Sequence, residues 1–417
     1  MQAADGGRPQ RRQGLLWSLL VVGALLAEAG GARAAASRAT YATDLAAFFE
    51  KVDSTYPFFD LKGIRDDWDG TKKQLGEKVK RCRSDAEFLG IVTEAIRCLR
   101  DAHMAVRSEK AKPPAQPPEY YPGLSFMPAT KGRVVVMSPP EGREKALPVG
   151  TVVAEIDGKD ARAVLEERAA KAWEAGGGFS GPQRARLFEY RIPLRGKRGE
   201  KHRITVLIGE SRRTAELACT VAARGWPHTY NLPRNLTRVG RSFSYTRLAS
   251  GVGYMHIRFV DESTEEGIRQ ATKKHADAKG WIVDLCGNGG GGYGATLFEA
   301  IKAMPRPVAG IIDAGCFSAG ETLAREFSRY AEARLFGSRT AGSSTAKEQW
   351  QFPSGIAAVT MSTRSHWRSD RKPIEFNGIE PDEEVEAVPE EVLRGLNSAI
   401  CRAEEHLKKL AKERNPE

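Results

Sequence analysis

Cysteine and histidine are scarce in this sequence, with 6 Cys and 7 His among 417 residues. No two cysteines form a C-x-x-C pair, which argues against a structural zinc site. A chain this long is not a scaffold held by disulfides alone. Nor is there an uninterrupted run of the roughly 20 apolar residues that span a bilayer; the best stretch, Leu15 to Ala27, is broken by Ser18. Zinc-finger, basic-zipper and RNA-recognition motifs are absent too, so the formal charge of +11 comes without the signatures of nucleic-acid binding. Its Lys/Arg runs, such as Lys78-Val79-Lys80-Arg81 and Lys408-Lys409, have Asp or Glu close by and read as solvated faces. With 41% hydrophobic and 28% charged residues, the chain is neither disordered nor fibrous.

What is present begins with a leader. Arg8, Arg11 and Arg12 precede the apolar stretch, and small residues ending Ala32-Arg33-Ala34 follow it. That order predicts a secretory signal over residues 1–34, and hence an exported protein with no stable membrane span once the signal is removed. Its removal lowers the charge from +11 to +9. In an oxidising compartment some cysteines could pair, Cys82 with Cys98 first among them.

The rest divides into three by pattern. Residues 35–111 read as a helical domain: Asp44-Leu45-Ala46-Ala47-Phe48-Phe49 opens one amphipathic segment, and Ser84-Asp85-Ala86-Glu87 is a capping box ahead of Phe88, Ile91, Val92, Ala95 and Leu99. A proline-rich linker, residues 112–118, follows. Residues 119–225 turn β-rich, with strands over Arg133–Met137, Gly150–Ile156 and His202–Ile208, a helix through Ala161–Ala170, and an apparent insertion over residues 171–195. Residues 240–417 alternate strand and helix as an α/β domain with parallel strands, closed by an amphipathic helix from Glu390 to about Lys412. The fold class is therefore multidomain α+β.

Two strand ends of the last domain carry chemistry. Trp281–Leu285 runs into Cys286-Gly287-Asn288-Gly289-Gly290-Gly291-Gly292, a G-x-G-x-x-G with Asp313 downstream, which on spacing alone suits a dinucleotide. Strand Pro307–Asp313 runs into Ala314-Gly315-Cys316-Phe317-Ser318-Ala319-Gly320-Glu321, placing Ser318 at a sharp passage from strand to helix. Neighbouring parallel strands bring both turns to one carboxyl edge. Ser318 would then have the helix amides of Ala319 and Gly320 beside it, with further bare N–H groups from the glycine run, the components of an oxyanion hole. A helix-capping Ser is the plainer alternative. A nucleophilic Ser needs a base. Of the seven histidines, His103 at the end of the capped helix is preferred; His366 lies in a polar loop and His256 within a strand.

Taken in order, Leu99-Arg100-Asp101-Ala102-His103, the β module, Gly253-Tyr254-Met255-His256-Ile257, Asp284-Leu285-Cys286-Gly287-Asn288-Gly289-Gly290, Ser318-Ala319-Gly320-Glu321, Gly337-Ser338-Arg339-Thr340-Ala341-Gly342 and Gly378-Ile379-Glu380-Pro381-Asp382 resemble the carboxyl-terminal processing (tail-specific) serine peptidases. The likeness is nearer the branch of the tricorn core and the interphotoreceptor retinoid-binding protein than the Ser-Lys branch. It implies a PDZ-like module, with Gly123-Leu124-Ser125-Phe126 at the carboxylate-binding loop, and crotonase/ClpP-like parallel strands in the last domain. It implies Ser318 as nucleophile, His103 as base, Glu375 orienting the site, and an oxyanion hole of Ala319 with Gly289 or Gly290. A surface carboxylate remains the alternative at Glu375. The implied substrate is an unfolded or C-terminally presented polypeptide, without metal or cofactor. Three residues depart from the pattern: Ser343 stands where the Ser-Lys branch has its lysine, with Lys347 the nearest one. Ala102 replaces a Ser, and Cys286 an Arg. An inactive relative that binds peptides or apolar ligands, and an α/β-hydrolase esterase with its histidine last, are the competing readings.

Overall fold

The computed structural model describes residues 37–176, 178–223 and 231–414; the expected signal segment and His228 lie outside them. The first helix, α1 (Arg38–Thr55), starts where Ser37 Oγ accepts the Thr40 amide at 3.2 Å and stops ahead of Tyr56-Pro57. It is followed by α2 (Phe59–Lys62), ended by Gly63 at φ +61°, and then by α3 (Arg65–Val79) and α4 (Asp85–Cys98). Ser84 caps α4 by accepting the Glu87 amide, and Glu87 reaches back to the Arg83 amide rather than to that of Ser84. The α4 stripe Phe88, Leu89, Ile91, Val92, Ala95 and Ile96 is buried against Phe48 and Trp68. Each large side chain so buried contributes about 1.5–3 kcal/mol.

This helical core is completed from the other end of the chain. Strand β1 (Ala105–Arg107) pairs antiparallel with β17 (Ala358–Ser365), itself paired with β16 (Thr345–Gln351). Phe352, Val359 and Met361 of that hairpin pack among the helices. The hairpin is not evident in the sequence pattern, because most of β16 faces water and its partner strand lies about 250 residues away.

The β module contains β2 (Tyr120–Tyr121), β3 (Ser125–Ala129), β4 (Arg133–Ser138), β5 (Val152–Ile156), β6 (Lys159–Asp160), helices α5 (Ala161–Glu174) and α6 (Pro182–Arg191), and strands β7 (Lys201–Ile208), β8 (Ser211–Ala218) and β9 (Val221–Ala222). Its sheet runs in the order β3-β4-β5-β7-β8, with β3 at one edge. The segment read as an insertion holds α6, which packs on α5 and β3. Ala129 bridges to Ala387, so the far end of the β3 edge is partly taken by the chain's own C-terminal part.

The third sheet orders β10 (Thr237–Val239), β11 (Phe243–Arg247), β12 (Gly253–Ile257), β13 (Trp281–Asp284), β14 (Val308–Ile312), β15 (Arg334–Gly337) and β18 (Glu383–Glu384). From β12 to β18 all neighbours are parallel, whereas β10-β11-β12 form an antiparallel edge. Helices α7 (Glu262–Lys274), α8 (Thr296–Lys302) and α9 (Ala319–Ala331) alternate with these strands. The single terminal helix expected from the sequence is instead two, α10 (Pro389–Leu393) and α11 (Ser398–Arg414). The break falls at Gly395, whose φ of +75° no helix can continue through.

All six cysteines are free thiols, so the expected Cys82–Cys98 bridge is not formed; Cys82 Sγ instead donates to Ser84 O. Among the described residues no helix is long and apolar enough to cross a membrane.

Candidate active site

Adjacent parallel strands β13 and β14 deliver two loops to the same edge of the sheet. Asp313 locks them together: its Oδ1 accepts the amides of Gly287 (2.9 Å) and Gly315 (3.0 Å). Asn288, fully buried, makes the second lock. Its carbonyl accepts the Phe317 amide at 2.8 Å, and its Nδ2 donates to Ile257 O at 2.8 Å. Any side chain at Gly320 would meet Asn288 Oδ1 at 2.5 Å, so the helix can begin here only with glycine in its second position.

Ser318 sits between these locks at φ +55°, in the left-handed region that a non-glycine residue occupies at a cost. It is not a capping serine, since its side chain makes no bond to the helix. Its amide donates to Ser343 O at 2.9 Å, and its Oγ lies 3.0 Å from His103 Nε2. That contact spans 215 residues of sequence. His103 is held from behind by its amide, which donates to Asp101 Oδ1 at 2.9 Å, and from one side by Phe317, stacked on the imidazole with centroids 4.7 Å apart. The Arg184 guanidinium lies 4.5 Å from the centre of the Phe317 ring.

Burial, with the cations Lys347, Arg184 and Lys62, pushes His103 down from 6.5 to about 4; Asp101 opposes them. Desolvation and positive neighbours both disfavour the imidazolium, so the ring binds a proton only at lower pH. In an NMR pH titration His103 is expected to keep neutral-imidazole shifts from pH 8 to about 5, below the range of an ordinary histidine. An inflection near 6.5 would contradict this geometry.

Glu375 is not on the surface. Its carboxylate is fully buried, with Oε1 2.7 Å from Lys62 Nζ. Burial and Asp101 push it up, against the pull of Lys62 and the Ser180 hydroxyl. Ser180 Oγ also accepts the Ala102 amide at 3.0 Å, so a hydroxyl arrives from the segment before α6 beside the residue where the resemblance puts a serine. His103 Nδ1 and Glu375 Oε2 are both buried without a hydrogen-bond partner.

The three proposed oxyanion donors differ. The Ala319 amide is the first of its helix and has no acceptor within it. By contrast the Gly289 amide donates to Arg258 O (3.0 Å) and the Gly290 amide to Asn288 Oδ1 (2.9 Å). With the Gly287 amide on Asp313, the glycine run offers no open phosphate cradle, and the dinucleotide reading does not fit. Gly290 is nonetheless in contact with the serine: a Cβ there would stand 2.7 Å from Ser318 Cβ.

Behind α9, the buried Glu321 accepts Thr340 Oγ1 (2.6 Å) and the amides of Gly342 (2.8 Å) and Ser343 (2.7 Å), although burial pushes it up to about 7. Ser343 Oγ is buried without a partner. His366 pairs with Ser344 Oγ at 3.0 Å and His406 packs on Phe336, so neither serves Ser318 and the order expected of an α/β-hydrolase fails. Leu124, Ser125 and Phe126 are buried, and Gly123 turns at φ +78°. Of these four only Phe126 lines the cavity of about 650 Å³ between the β module and the third sheet, together with Trp173, Leu187, Tyr190, Cys286 and Ile312. Among the described residues no cluster of His, Cys, Asp and Glu could hold a metal.

Sequence reasoning passed over Lys62, Ser180, Arg184 and Phe317. Ser180 and Arg184 lay in the presumed insertion, and Lys62 carried no signal beyond an ordinary charged residue.

Residues 294–385 match the sequence profile of peptidase family S41. No curated protein sequence matches the chain. Mature CPAF has a similar fold at 13% identity and a TM-score of 0.59, over 90% of this chain and 97% of that one. Mature CPAF complexed with lactacystin matches at 13% and 0.58, over 90% and 98%. A candidate peptidase of Parabacteroides merdae matches at 16% and 0.51, over 88% and 96%.

Proposed function

We propose that this chain is a serine-type peptidase of the C-terminal processing S41 family, whose profile residues 294–385 match, and that it cleaves unfolded or C-terminally presented polypeptides through an acyl-enzyme on Ser318. The 3.0 Å approach of His103 Nε2 to Ser318 Oγ carries the reading. Neutral His103 takes the Ser318 proton as Oγ attacks the scissile carbonyl, then returns it to the leaving amine. Ala319 N–H donates to the oxyanion. Gly290 becomes the second donor once its N–H leaves Asn288 Oδ1, a movement that substrate binding must drive. Water then hydrolyses the ester, with His103 again as base.

The β module acts as a PDZ-like holder: its edge strand β3 lies beside α6 and follows Gly123-Leu124, so an added substrate strand would complete the sheet. Residues 1–34 direct export. His103 and Glu375 favour the tricorn-like branch over a Ser-Lys dyad.

Incubated with a denatured polypeptide, the purified protein should produce fragments, and a serine-reactive phosphonate should modify Ser318, as read by peptide mass. A single observation favours the inactive-relative reading: two of the three donor amides are engaged within the chain. Peptide binding without phosphonate modification would select it.

A further inference from the structure

Lys62 is a buried cation to which the reaction above gives no work. Its Nζ has three hydrogens and three acceptors: Tyr56 Oη at 3.0 Å, Arg100 O at 2.8 Å and Glu375 Oε1 at 2.7 Å. Neither member of the Lys62–Glu375 pair exposes any side-chain surface. Burying two charges is costly, and an apolar pair of the same volume often serves stability as well or better. The pair therefore calls for another reason, and its place suggests one.

We infer that Lys62 is a positioning residue that fixes Glu375 beside the Arg100–His103 segment and lowers the pH at which its carboxyl ionises. This rests on the reading of Ser318 and His103 as nucleophile and base. Lys62 is pinned by the main chain at Arg100, three residues before His103, and by Tyr56 from the end of α1. It binds one carboxylate oxygen and leaves Oε2 without a hydrogen-bond partner; His103 Nδ1 is likewise buried and unpartnered. A histidine that accepts the serine proton at Nε2 bears its own hydrogen on Nδ1 and gains positive charge as it works, so a nearby carboxylate matters only while ionised. The groups facing the pair are Tyr56, Asp101, Ser180, Lys347 and His103 itself. Burial and Asp101 prevail and push Glu375 up to about 8; Lys62 is the strongest influence against them, so without it the carboxyl would ionise only at still higher pH.

The test is the rate of Ser318 modification by the phosphonate against pH, in wild type, Lys62→Met, Glu375→Gln and the double variant. Loss of an adjacent opposite charge should move the ascending limb of Lys62→Met upward by about 1–3 pH units. Modification at pH 7 should be about 10-fold slower or worse, recovering toward pH 10. A purely structural role would slow it equally at all pH values. Glu375→Gln should lack the displaced limb, and the double variant should match it, because Lys62 acts through Glu375. A wild-type profile in folded Lys62→Met overturns the inference. Should that variant not fold, the double variant leaves no unpaired buried charge; modification clearly slower than in Glu375→Gln overturns the inference, and equality upholds it. Absence of modification in wild type at every pH instead removes Ser318 as the nucleophile, a different failure that takes the inference with it.

Discussion

Ser318→Ala is expected to lower kcat/KM for an unfolded polypeptide by about 10^5- to 10^6-fold, and His103→Ala by nearly as much. The two atoms are joined by a 3.0 Å contact and act as one unit, so the double variant should be scarcely worse than either single one. Residual turnover would come from the Ala319 amide and from substrate binding alone. Neither change should unfold the protein. The Ser318 hydroxyl caps nothing, and the His103 ring contributes only its stack on Phe317 and its bond to the serine. Melting temperatures measured beside the kinetics separate lost chemistry from lost fold. Undiminished turnover in Ser318→Ala would end the serine mechanism.

Gly290→Ala should cost about 10^2- to 10^3-fold in kcat although Ser318 and His103 both remain in the sequence. A methyl there would lie 2.7 Å from Ser318 Cβ and 2.9 Å from Phe317 O, at a φ of +83° that alanine resists. Either the elbow at Ser318 retreats from His103, or the glycine loop backs away and takes the candidate donor with it. The peptide binding proposed for the β module should persist, because that module contributes no atom to this contact. Equal kcat in the variant would show that Gly290 does not border the reacting serine.

How much could be read in advance varies with the kind of signal. The alternation around β12 to α9 was legible because buried parallel strands and capped helices mark the sequence within ten residues of themselves. The loops at Cys286–Gly292 and Ala314–Glu321 stood out for the same reason: tight turns demand glycine locally. Lys62 could not stand out, since a lysine is exposed in almost every sequence context and only the arrival of Glu375, 313 residues later, makes this one buried. The β16–β17 hairpin escaped notice because its pattern of exposure is mostly polar and its burial is decided by the helices it meets. Gly395 was visible, but its effect on the terminal helix depends on a backbone angle that composition does not state.

The pairing of β1 with β17 sets a timetable for the molecule. While the polypeptide is being made, the first hundred residues leave the ribosome with Phe88 lacking Phe352, its ring neighbour at 5.4 Å, and with Ala105 lacking Thr360. His103 therefore cannot settle until residues near 360 have emerged, and Lys62 has no counter-charge before Glu375. A chain that stops short of Ala358 thus lacks both the strand that pairs with β1 and the counter-charge of Lys62.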